Sequence, residues 1–232
     1  MQKIEYKDLG LISYADALKI QEVFFNKNLE EKKSTGAGNT ENTLLFCEHK
    51  HVYTLGKSGA ENNLLINDKF LKSINAEYYK SSRGGDITYH GPGQIVAYPI
   101  LDLEKFDMLA RKYIYNLEQV IIKTLAEYNI KGERLEGATG VWLDINKATK
   151  TRKICAIGVK ISKWVSMHGF AFNINTDLNY FKHINPCGFT DRSVTSLQKE
   201  IGKIVDINEV KEKLKSNFSA IFEVKLGSAE KL

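Results

Sequence analysis

Ser82-Arg83-Gly84-Gly85-Asp86-Ile87-Thr88-Tyr89-His90-Gly91-Pro92-Gly93-Gln94 runs straight into the apolar stretch Ile95-Val96-Ala97-Tyr98-Pro99-Ile100-Leu101. Four glycines fall between Gly84 and Gly93. Glycine exposes backbone amides and lets a ligand approach the chain closely. Asp86 to Tyr89 has the length of a short strand. Gln94 to Leu103 reads as a buried strand in which Pro99 marks a bulge or an end. Two tight turns around a short strand would explain the glycines alone. The presence of Arg83, Tyr89, His90 and Gln94 among them points instead to a ligand loop. It is not a phosphate loop, because no Gly-Lys-Ser/Thr closes it. It also lacks the G-x-G-x-x-G spacing of dinucleotide folds.

Outward from this stretch, helices flank a strand-rich middle. Thr43 to Cys47 and His51 to Leu55 read as strands, as do Thr139 to Leu143, Lys153 to Ser162 and Gly169 to Ile174. Ser13 with Asp16 three residues on predicts a helix start, and Ala17, Ile20, Val23 and Phe24 follow at helical spacing. Glu30 to Asn42 is polar and reads as a loop. Leu109, Tyr113, Leu117, Val120, Ile121, Thr124, Leu125 and Tyr128 form an amphipathic stripe, which predicts one long helix from Asp107 to Tyr128. Asp206 and Glu209 begin a last helix carrying Val210, Leu214 and Phe218. Helices around a strand-rich middle give an α+β, or mixed α/β, architecture.

The chain has 232 residues and 43% hydrophobic content, which fits one catalytic domain spanning 1–232. No apolar run is long enough for a transmembrane helix, and the polar start carries no signal-peptide core. The expectation is a cytoplasmic protein that does not engage membranes. Cys47, Cys155 and Cys187 are odd in number and far apart, which suits a reducing compartment. The net charge of +5 is spread rather than banded. No stretch interleaves Lys/Arg with aromatics, so nucleic acid is not an expected partner. An acidic protein partner accounts for the charge equally well.

Cys187 stands between Pro186 and Gly188, a turn-forming setting able to present a sulfur to a cleft. A buried core cysteine is the plain alternative. In Lys153-Ile154-Cys155-Ala156-Ile157-Gly158, strand alternation puts Lys153, Cys155 and Ile157 on one face. A cleft-facing lysine favours a nearby thiolate, whereas a solvated strand-end lysine would do nothing. Cys47, His49 and His51 could present three metal ligands on one strand face, with His90 or His168 completing the set. Nothing in the spacing demands a metal, and none is expected. Asp177, His183 and Asp191 could instead form a Cys-His-Asp relay with Cys187.

Six segments, in order, resemble the lipoyl(octanoyl) transferase family: Glu48 to Gly56, Arg83 to Gln94, Lys153 to Val159, His168 to Asn173, Asn185 to Gly188, and Val194 to Leu197. The match covers about 44–197. One departure is Lys50-His51, where a proline is common after the first histidine. The resemblance implies a single domain with the biotin and lipoate protein ligase catalytic fold, a mixed sheet flanked by helices. It implies transfer of an octanoyl group from octanoyl-acyl carrier protein to a lysine of lipoyl domains. The acceptors would be the lipoyl domains of 2-oxoacid dehydrogenase complexes and the glycine cleavage H protein. Cys187 would carry the acyl group as a thioester, with Lys153 lowering its thiol pKa. Arg83, Gly84, Gly85, Asp86, Ile87, Thr88, Tyr89 and His90 would hold substrate, together with Ala156, Ile157 and Gly158, and Gly169, Phe170 and Ala171. No cofactor and a monomeric enzyme are expected. An ATP-dependent lipoate-protein ligase and a non-catalytic acyl-binding module are the alternatives.

Overall fold

The computed structural model describes residues 2–34, 39–185 and 193–227. Its strands are β1 (Gln2–Ile12), β2 (Thr43–His49), β3 (Val52–Leu55), β4 (Glu77–Lys80), β5 (Ile87–His90) and β6 (Gln94–Ile100). They continue with β7 (Glu133–Leu135), β8 (Ala138–Leu143), β9 (Arg152–Ser162), β10 (Val165–Asn173), β11 (Ser193–Val194) and β12 (Val224–Gly227). The helices are α1 (Tyr14–Ser34), α2 (Asp68–Ser73), α3 (Ala110–Ala126), α4 (Leu197–Ile201) and α5 (Ile207–Phe222).

The apolar run after the glycine loop becomes β6, and all its residues are buried. A strand buried on both faces needs a neighbour on each edge and a layer on each side. β6 accordingly sits near the middle of a mixed sheet ordered β12-β1-β2-β6-β10-β9-β8-β7, with β11 added beside β9. β1 is parallel to β12 and to β2, and the ladder from β2 through β6, β10, β9 and β8 to β7 is antiparallel. A small second sheet is ordered β4-β3-β5. α3 and α5 cover one face of the main sheet through Tyr113, Leu117, Ile121, Leu214 and Phe218, packed with Phe46, Ile95 and Phe172. α1 covers part of the other face through Ala17 and Phe25, against Leu45, Val96 and Ala171.

Local expectations are corrected in places. α1 begins where Ser13 predicts, with the Ser13 hydroxyl accepting from the Asp16 amide at 3.1 Å. Its buried stripe, however, is Tyr14, Ala17, Gln21, Phe25 and Asn28. Val23 is exposed, while Ile20 and Phe24 are only partly buried. The polar residues Gln21 and Asn28 hid this phase, because each bonds inward, Asn28 to Glu41 and Gln21 to the His168 amide. α1 also runs on to Ser34, so the first part of the expected 30–42 loop is helix. The long helix starts at Ala110 rather than Asp107. Asp107 is left-handed at φ 45°, and Leu109 is the exposed N-cap. β1, β4 and β12 carry too little apolar alternation to be read from the sequence. β10 begins at Val165, before the expected Gly169.

Candidate active site

Tyr14, at the start of α1, sits beside a cavity of about 310 Å³ that lies between the main sheet and the small sheet. The floor is hollow because the strands beneath it pair their smallest residues. Ala156 of β9 faces Ala171 of β10, and Gly158 faces Gly169. All four line the cavity. Val96, Trp142, Ile157, Phe170, Phe181 and Val194 make much of the wall apolar.

The glycine loop is clamped above this floor. Gly84 donates its amide to the Val159 carbonyl at 2.9 Å. A Cβ on Gly158 would sit 2.9 Å from the Gly84 oxygen, and one on Gly56 only 2.3 Å from the Gly85 oxygen. Three glycine-bearing segments therefore cross backbone to backbone, and Gly85 is left-handed at φ +80°. Chain crossing and backbone conformation, more than ligand approach, require these glycines. The Arg83 guanidinium is buried and donates to the Thr54 carbonyl at 2.5 Å and the Gly84 carbonyl at 3.0 Å. Asp86 accepts from the Asn63 side-chain amide and from the Ile87 amide, tying the loop to the turn at Glu61–Asn63.

Of the residues implied by the family resemblance, Arg83, Gly85, Asp86, Ile87, Thr88 and His90 line the cavity, as do 156–158 and 169–171. Gly84 and Tyr89 do not line it. Tyr89 is packed in the small-sheet core, stacked on Tyr180 and bonded through its hydroxyl to His51 at 2.7 Å. Strand alternation turns Tyr89 away from the cavity that Thr88 and His90 reach.

Lys153 lines the cavity too, with its ammonium 4.5 Å from the Trp142 ring centroid. It does not share a face with Cys155. β8 pairs Val141 with Cys155 but Trp142 with Lys153, so Ile154 is an extra residue in β9. Such a bulge inverts the alternation. Ile154 and Cys155 both enter the core under α3, while Lys153 turns onto the cavity face with Ala156. Burial pushes the Cys155 thiol up.

Cys187 and Asp191 lie outside the described residues. Their described neighbours Ile184, Ser193 and Val194 all line the same cavity. His183 packs edge-on against Phe70, and Asp177 caps the turn at Leu178–His183. Cys47 and His49 approach to 3.5 Å on β2, but His51 lies just before β3 and bonds the Tyr89 hydroxyl of the small sheet, so the three do not converge. Among the described residues no group of His, Cys, Asp and Glu could hold a metal.

The histidines in and beside the cavity carry no charge. Burial pushes His90 and His168 down to about 3 and His49 to about 4, so all three are neutral. His168 is left-handed at φ 60°, held by the Gln21 oxygen at its amide and by Ser82 at Nε2. Sequence reasoning missed Tyr14, Tyr98, Trp142 and Asn173 as lining residues. Aromatics on buried strands carry the pattern of core residues, so only the missing neighbour across the hollow reveals them.

The lipoyl protein ligase A/B catalytic domain family matches residues 13–219. This chain belongs to that family. An octanoyltransferase of Parabacteroides distasonis is 54% identical over 96% of this chain and 100% of its own length. At that likeness the activity is that of an octanoyltransferase, an acyltransferase enzyme. Among solved structures, a bi-partite lipoate protein ligase of Thermoplasma acidophilum superimposes with a TM-score of 0.73 at 14% identity, covering 99% of this chain and 88% of that one. A biotin protein ligase of Aquifex aeolicus gives 0.51 at 17% identity, covering 96% and 71%. These two likenesses establish the mixed α/β ligase fold. Among the described residues no helix is long and apolar enough to cross a membrane.

Proposed function

We propose that this octanoyltransferase takes its acyl group from octanoyl-acyl carrier protein, holds it as a thioester on Cys187, and passes it to a lysine of a lipoyl domain. The supporting observation is that Lys153 and the residues flanking the Cys187 segment line one largely apolar cavity. The Cys187 thiolate attacks the donor carbonyl, and the carrier's thiolate leaves and takes up a proton. The acceptor amine then attacks the acyl-enzyme, the amide forms, and the Cys187 thiolate departs. The Lys153 ammonium favours the thiolate in the first step. In its neutral form Lys153 accepts the proton of the attacking amine in the second. The octanoyl chain lies over the Ala156/Ala171 and Gly158/Gly169 pairs. Its six methylenes are worth about 5 kcal/mol when fully buried. Exchange between thioesters is nearly isoenergetic, so no nucleotide is required. The acceptors are the lipoyl domains of 2-oxoacid dehydrogenase complexes and the glycine cleavage H protein. The net charge of +5 favours encounter with an acidic carrier protein.

Intact-mass measurement after mixing with octanoyl-acyl carrier protein, without ATP, tests this reading. One octanoyl group should appear on the protein and be absent from Cys187→Ala, which should also lose transfer. Cys47→Ala and Cys155→Ala should keep the adduct. An adduct or transfer that requires ATP would make the protein a ligase instead.

A further inference from the structure

A directed chain of hydrogen bonds crosses the molecule from the glycine loop to the strand that bears Lys153. Its directions follow from two backbone carbonyls, which can only accept. The Tyr89 oxygen, 3.2 Å away, fixes one end of the Gln94 side chain as its amide nitrogen. The Thr195 oxygen, at 3.0 Å, does the same for Asn173. Gln94 Nε2 then donates to Asn173 Oδ1 at 2.8 Å, which leaves Gln94 Oε1 to accept from His90 Nδ1 at 2.8 Å. His90 must therefore carry its hydrogen on Nδ1 and present a bare Nε2.

That bare nitrogen is also occupied. The Thr54 hydroxyl lies 3.4 Å from Nε2, the longest link in the chain. Its oxygen already accepts from Arg83 Nε at 3.3 Å and Nη2 at 2.9 Å, so its hydrogen is free to point at the imidazole. At the far end the Thr195 amide donates to the Lys153 carbonyl at 2.9 Å. The charged or titratable groups facing His90 are Tyr14, His49, His168 and Arg83. Every polar atom of the imidazole and of both amides thus has a partner with the right polarity, in a region buried from water.

We infer that His90, Gln94 and Asn173 act as positioning residues: His90 is a locked neutral link that moves no proton, and the chain sets the Arg83 loop against the Lys153 strand. This rests on the proposed pairing of Lys153 with Cys187. A proton carrier in the cavity would need one imidazole nitrogen open to substrate, and here both are engaged within the protein. Cutting the chain frees the loop and the strand to drift apart, and misplacement by about 1 Å can cost on the order of 100-fold in rate.

The test measures kcat and KM for transfer from octanoyl-acyl carrier protein between pH 6 and 9, with the pH dependence of Cys187 alkylation by iodoacetamide. His90→Asn can still donate toward Gln94, and it should keep every inflection of the pH profile while kcat falls. Asn173→Ala should lower kcat by about 100-fold, leave KM nearly unchanged and raise the apparent thiol pKa. Adding Gln94→Ala to Asn173→Ala should cost little more, because both cut one chain. An inflection lost in His90→Asn makes His90 a proton carrier and overturns the proposal. So does Asn173→Ala with a lowered Tm but wild-type kcat and thiol pKa, or a double variant with multiplied losses. If Asn173→Ala does not fold, Asn173→Asp keeps the size and the acceptor for Gln94 but not the donor to Thr195, and is read the same way. A Cys187→Ala control that still transfers would remove the thioester step, while unchanged inflections in His90→Asn would still uphold the locked imidazole.

Discussion

The two faces of the main sheet share their strands yet differ in material. Under α3 and α5 the face is dry: Leu117, Val120, Leu214 and Phe218 are wholly buried against Phe46, Ile95 and Phe172. On the opposite face α1 covers only part of the sheet. The rest opens on the cavity, among buried His90, His168, Gln94 and Asn173. Period-two alternation lets β6 and β10 serve both faces at once. The dry face supplies cohesion, so the other can keep a hollow and polar groups that cost stability unless each is bonded.

Acid should separate the faces most strongly. His49, His90 and His168 are buried neutral, with folded pKa values of about 3 to 4, below the free value of 6.5. Between those limits the unfolded chain binds more protons. Their contribution is therefore fully present above about pH 6.5 and is lost as pH falls toward 4. With three such groups the slope approaches about 4 kcal/mol per pH unit near pH 5. Circular dichroism should show acid unfolding above pH 4. A protein with unchanged stability from pH 7 to 4 would mean that these rings are hydrated.

A cut in the dry face comes next. Phe218→Ala should cost about 3–5 kcal/mol of unfolding free energy, measured in urea, with kcat unaltered at 25 °C. A falling kcat at full folding would show that the two faces are coupled.

Ala156→Leu fills the hollow without touching the Gly84–Gly158 crossing. Overpacking of about 1–3 kcal/mol should slow acylation by octanoyl carrier protein roughly 5- to 150-fold, while a butyryl donor keeps its rate. Equal losses for both donors would place the acyl chain elsewhere.

The smallest effect is electrostatic. Lys153→Met should raise the apparent pKa of Cys187 by about one unit, or about 1.4 kcal/mol, in iodoacetamide alkylation across pH. An unchanged pKa would remove Lys153 from thiol activation.

The helices of the dry face were legible because Tyr113, Leu117 and Ile121, and Val210, Leu214 and Phe218, are apolar at helical spacing. α1 was read in the wrong phase because two of its inward residues, Gln21 and Asn28, are polar and bond to partners outside the helix, the His168 amide and Glu41. The glycine loop was legible as a special segment, but its reason was not. Its Gly84 and Gly85 carbonyls are what demand glycine at Gly158 and Gly56 on other segments, while Gly84 itself meets the Val159 oxygen and Gly85 is held at φ +80°, none of which the local sequence can show. Tyr89 was placed with the site because it stands between residues that reach it, and alternation puts it on the far side of β5.

The mixed α/β class, the principal strands and the ordered motifs that mark the family can be read along the chain, since these depend on local periodicity and residue identity. Which face Lys153 takes is settled instead in the folded sheet. The single extra residue Ile154 is visible only against the register of β8, and it turns the lysine from the core to the cavity. The locked state of His90 was likewise decided there. A histidine's tautomer depends on what lies beside each ring nitrogen: here Thr54 comes from β3, and Gln94, although close in the chain, takes its orientation from Asn173 on β10.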